Sequence, residues 1–84
     1  MTECEKLYNL AKNSPKNLKF KDLCRLAECF GWIFKRQEGS HRIYENPRLR
    51  PDQGRIMNFQ DDKGKAKPYQ VRQLLKAIER LDDE

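Results

Sequence analysis

The chain has 84 residues and a mass of 10.1 kDa, enough for one domain with a thin core, since a chain this short hides only about 60–65% of its unfolded surface. That excludes a dinucleotide cleft closed between two lobes, and no stretch approaches the ~20 apolar residues of a membrane span. Eighteen Lys and Arg against 13 Asp and Glu leave a net charge of +5. With a pI near 9.3 and a mean hydropathy of −1.04, this favours a polyanionic partner, nucleic acid ahead of an anionic membrane or an acidic protein. The first residues, Met1-Thr2-Glu3-Cys4-Glu5, are unlike a secretion signal, so the expectation is a cytoplasmic protein. An odd number of cysteines in a reducing compartment should remain thiols, read here as small buried hydrophobes.

The spacing predicts a first helix over Thr2 to Asn13, opened by a Thr2-x-x-Glu5 capping box and carrying Leu7, Leu10 and Ala11 on one side with Tyr8 at its edge. Asn13-Ser14-Pro15 stops it. A second helix carries Phe20, Leu23, Leu26, Ala27 and Phe30 at helical intervals and ends at Gly31. The period then becomes alternating. Trp32 to Gln37 reads as a strand, Glu38-Gly39-Ser40 as a turn, and His41 to Glu45 as the returning strand of a hairpin. A basic, turn-rich connection, 48–54, leads to a third strand over Arg55 to Gln60, with Ile56, Asn58 and Gln60 on one face and Met57 and Phe59 on the other. After a lysine-rich loop, Pro68 opens a last helix with an apolar stripe of Val71, Leu74, Leu75, Ile78 and Leu81, opposite Arg72, Lys76 and Arg80. The expected class is α+β, with the helices on one face of a small three-stranded sheet.

His41 is the one side chain suited to proton transfer near neutral pH. It follows Gly39 and Ser40, small residues that allow close approach to the backbone, with Lys35, Arg36 and Arg42 nearby in sequence. No Asp or Glu stands at a motif spacing that would orient it. Strand alternation predicts that only one of Lys35 and Arg36 shares its face. Lys63, Lys65 and Lys67 lead into the last helix and Arg72 extends their charge, a pattern suited to phosphate oxygens and equally to plain solvation. Trp32, Phe34, Tyr44 and Phe59 could stack on bases, but at strand spacing they read as core. No metal site is expected. Cys24 and Cys29 point about 140° apart on a helix, and Asp61-Asp62 reads as a solvated acidic pair.

Phe20-Lys21-Asp22-Leu23, Gly31-Trp32, Arg36-Gln37-Glu38-Gly39-Ser40-His41, Ile56-Met57-Asn58-Phe59-Gln60 and Lys65-Ala66-Lys67-Pro68-Tyr69-Gln70-Val71-Arg72 resemble the HicA family of bacterial toxins, over roughly Phe20 to Ile78. The resemblance implies a double-stranded-RNA-binding-domain-like fold, with residues 18–84 as the HicA-like domain and 1–17 as an N-terminal helical extension. It implies an mRNA interferase of a type II toxin–antitoxin pair, with His41 catalytic, Gly39 and Ser40 as its motif neighbours, no metal or other cofactor, and a HicB-like antitoxin as partner. Lys63, Lys65 and Lys67 occupy a place similar to the lysines that touch phosphates in double-stranded-RNA-binding domains. The third strand lacks the basic, histidine-containing pattern of some members. The chemistry implied is attack by the ribose 2′-hydroxyl on its own phosphodiester, with His41 taking that proton or protonating the departing 5′-oxygen. The rival readings are a non-catalytic RNA-binding module that uses the same lysines and a basic adaptor for an acidic protein.

Overall fold

A computed structural model describes residues 2–82, in the order α1 (Glu3–Asn13), α2 (Phe20–Cys29), β1 (Ile33–Glu38), β2 (His41–Glu45), β3 (Ile56–Gln60) and α3 (Pro68–Asp82). The acidic end Asp83-Glu84 lies outside the described residues. The helix ends follow local chemistry. Thr2 Oγ1 accepts from the Glu5 N–H at 3.2 Å, and Pro15 opens a 3₁₀ turn, Pro15–Asn17, that separates α1 from α2. Gly31, at φ +101°, is the left-handed residue just beyond the α2 cap.

The strands form one antiparallel sheet in the order β1-β2-β3. Gly39 takes the first position of the two-residue β1–β2 turn at φ +60°, a conformation that glycine adopts without steric cost. His41 opposes Gln60 across β2–β3, Ile43 opposes Asn58, and Tyr44 opposes Met57. Period-two alternation then sets the two faces. Arg42, Tyr44, Met57 and Phe59 point to the helices, and His41, Ile43, Glu45, Ile56, Asn58 and Gln60 point outward. The fold is thus α+β with three helices and a three-stranded sheet, consistent with the double-stranded-RNA-binding-domain-like architecture expected.

One core joins all three helices to the inner sheet face. Leu7 and Ala11 of α1, Leu23 and Leu26 of α2, Tyr44 and Phe59 of the sheet, and Leu74 and Ile78 of α3 lie in the same buried cluster. Leu10 departs from the sequence reading: it is 41% exposed, because the buried stripe of α1 is only as wide as Leu7 and Ala11. Phe34 also departs. It is 41% exposed at the sheet margin, with the Arg42 guanidinium 4.5 Å from its ring centroid. Trp32, Tyr44 and Phe59 are core, and Trp32 donates its indole N–H to the Gly54 carbonyl at 3.1 Å.

The cysteine expectation needs correction. Cys4 and Cys29 form a disulfide between α1 and α2, with their Cα atoms 5.8 Å apart. An odd count and the Cys24–Cys29 spacing say nothing about Cys4, which reaches Cys29 only through tertiary packing. Cys24 alone is free, and it is buried as expected. No helix among the described residues is long and apolar enough to cross a membrane.

Candidate active site

His41 is half-exposed at the start of β2, directly after the Gly39-Ser40 turn. Its Nδ1 lies 2.9 Å from Oδ1 of Asn58. The contact is diagonal. Asn58 pairs with Ile43, one outward-facing position along from His41, and diagonal neighbours on one face are within reach of long side chains. The group that meets the ring is therefore an amide and not a carboxylate. Asn58 was legible as a polar residue on the Ile56–Gln60 face, but its contact with His41 follows only from the strand register.

β1 carries a bulge between Phe34 and Arg36. Phe34 opposes inward-facing Tyr44, whereas Arg36 opposes outward-facing Ile43, so the alternation skips at Lys35. Lys35 and Arg36 consequently both belong to the outer face that carries His41, where alternation alone had allowed one. Lys35 helps to hold the outward-facing Glu45 carboxyl below the usual carboxylate range, although the main cause is the hydrogen bond from Arg55 Nε, 2.7 Å away. Arg36 is engaged with Glu38 through a 2.7 Å exposed ion pair, beside His41 in the hairpin.

The lysine-rich loop leaves β3 at Gln60, the residue opposite His41, and the Asp61 N–H donates to the Ser40 carbonyl at 2.8 Å. Asp62 and Lys65 exchange two backbone hydrogen bonds of 3.0 Å around a tight turn at Lys63-Gly64, both at positive φ. The Asp61 carboxylate accepts from the Gly64 N–H at 2.7 Å, and Gly64 in turn accepts from the Phe20 N–H at 3.0 Å. These bonds fix exposed Lys63 and Lys65 at the end of the sheet where Gly39, Ser40 and His41 lie. They also bring Lys19 and Lys21 beside Asp61 and Gly64, around a shallow depression of about 290 Å³. Sequence reasoning missed these two lysines because they precede the strands by a whole helix. Lys67, half-buried, accepts at its carbonyl from the Gln70 and Val71 N–H groups at the start of α3. Arg72 stands apart from this group. It is about 200° around the helix from Gln70, which faces β3, and it lies with Leu75, Lys76 and Glu79 on the exposed side of α3.

Gln70 is a further residue the sequence did not flag. Its amide bonds the free edge of β3 much as another strand would, accepting from the Gln60 N–H and donating to the Asn58 carbonyl, both at 2.9 Å. Among the described residues, no three of His, Cys, Asp and Glu converge as metal ligands.

With this geometry in view, comparison with protein families is decisive: the model for the HicA toxin of bacterial toxin–antitoxin systems matches residues 20–79. The chain belongs to the HicA toxin family. The match to this HicA protein starts at the first residue of α2 and ends within α3, so it takes in the whole sheet, His41 and the lysine loop. No curated protein and no solved structure matched the chain.

Proposed function

We propose that this HicA protein is a metal-independent endoribonuclease toxin that cleaves mRNA, with His41 as the base. In the proposed step the imidazole takes the proton of a ribose 2′-hydroxyl, the 2′-oxygen bonds to the adjacent phosphorus, and the bond from phosphorus to the 5′-oxygen breaks. The leaving oxygen takes a proton from solvent. The products are a 2′,3′-cyclic phosphate and a 5′-hydroxyl. The substrate supplies its own nucleophile, so the protein needs only a placed base and positive charge for the phosphate, and general base assistance of this kind contributes about 10²–10⁴-fold.

The observation that carries this reading is one half-exposed imidazole, held at Nδ1, on the strand end to which the lysine loop is stitched. Gly39 and Ser40 would let the RNA backbone approach His41. Lys63, Lys65 and Lys67 would hold phosphates, and Lys35 and Arg36 would counter charge at the reacting phosphorus. Arg72, on the exposed side of α3 away from this group, is left out of the proposed RNA surface.

A toxin of this kind must be restrained, and the proposed partner is a HicB-like antitoxin on the outer sheet face. Ile33 and Ile56, 51% and 54% exposed, flank Glu45 on that face and are what a protein partner would cover. Ile56→Asp should weaken that complex and leave RNA cleavage intact.

The discriminating experiment incubates labelled RNA with the protein in EDTA, beside the same RNA carrying 2′-deoxy sugars. The proposal expects scission of the first with cyclic phosphate ends, and binding without scission of the second. Salt-sensitive binding with neither cut would favour the non-catalytic module.

A further inference from the structure

The geometry points to Asn58 as the positioning residue of His41: its side-chain oxygen holds the imidazole with the proton on Nδ1 and turns an unprotonated Nε2 toward the substrate. This rests on the reading of His41 as the base and adds what makes it one. A carboxamide oxygen only accepts, so at 2.9 Å the ring Nδ1 is the donor. A neutral imidazole has a single N–H, and fixing it on Nδ1 leaves the lone pair on Nε2.

The support behind Asn58 is built from the backbone. Gln70, buried in the first turn of α3, donates to the Asn58 carbonyl and accepts from the Gln60 N–H, so the stretch of β3 carrying Asn58 is clamped on its free edge. On its other edge β3 is paired with β2, where Ile43 opposes Asn58 and Gln60 opposes His41. An amide also suits the task electrostatically. An aspartate here would orient the ring equally well but would set a negative charge beside an incoming phosphodiester.

His41 is the only histidine, so its ring nitrogens can be read without ambiguity in long-range proton–nitrogen spectra of ¹⁵N-labelled protein at mildly alkaline pH. The expected spectrum shows a protonated Nδ1 and an unprotonated Nε2. Asn58→Ala should abolish this single-tautomer signature, and Asn58→Asp, which keeps an acceptor oxygen in place, should restore it. In cleavage, Asn58→Ala should lower kcat by about 10–100-fold with little change in KM, the scale on which removing an orienting partner acts. An Nε2–H tautomer in the parent protein, or an unchanged spectrum in Asn58→Ala, would overturn the proposal. The spectra do not depend on RNA, so a protein that cuts nothing would refute the catalytic reading and still leave the role of Asn58 decided by its own measurement.

Discussion

Gln70 is buried although its side chain carries both a donor and an acceptor, and it can be so because each is used on the β3 backbone. Gln70→Ala would leave the Gln60 N–H and the Asn58 carbonyl without those partners, at a cost of about 1–3 kcal/mol. A lowered denaturant midpoint with an unchanged slope would report that loss. Cys24 makes a complementary case. Burial pushes its thiol above the ordinary range, outweighing a hydrogen bond with Tyr44 and the nearby Arg42 charge, so the thiol stays protonated and sheltered. In non-reducing buffer the folded protein should resist alkylation, and unfolding should expose one reactive thiol. At this scale the sequence was informative about residue type and face and silent about contact. His41, Gly39 and the lysines could be picked out by chemistry and spacing. Asn58 lies 17 residues from His41, and a one-residue change of register would have turned it to the other side of the sheet.

The elements were legible because their patterns are local. Thr2 capping α1, Gly31 beyond α2 and Pro68 at the start of α3 each act within a turn of where they stand. The β1 bulge and the Cys4–Cys29 bond were not, since a skipped pairing and a link between two helices exist only in the packed chain. The disulfide closes a separation of 25 residues, which by loop-closure entropy corresponds to about 3.5 kcal/mol. Reduction should therefore lower Tm while the secondary structure seen by circular dichroism persists, because Leu7 and Ala11 keep α1 in the core. The loop between β2 and β3 is held by Arg55, which bonds Glu45 at 2.7 Å and the Leu49 carbonyl at 3.2 Å. Since the folded state depresses the Glu45 carboxyl, that contribution is present above the unfolded pKa and is lost as pH falls through the folded one. Glu45→Gln should therefore lower Tm at neutral pH, change it little at the acid end, and so flatten the fall of Tm on the acid side.

For the whole molecule, the net charge of +5 foretold a polyanionic partner but not its placement. The fold gathers Lys63 and Lys65 with Lys19 and Lys21 around the end of the sheet where His41 stands, and leaves Arg72 on the far side of α3. If Lys63, Lys65 and Lys67 each neutralise one phosphate of single-stranded RNA, replacing all three by Gln should reduce the slope of log K against log salt by about 2, at about 0.7 per phosphate. An unchanged slope would remove those lysines from the interface. Whether His41 is the base is decided by cleavage rates of labelled RNA in EDTA for the parent protein and for His41→Ala, with circular dichroism confirming the fold of both. If His41 is the base, the parent gives 2′,3′-cyclic phosphate ends and the variant reacts at least about 10²-fold more slowly, with RNA binding retained. A folded His41→Ala protein that cuts RNA at the parent rate would contradict that role.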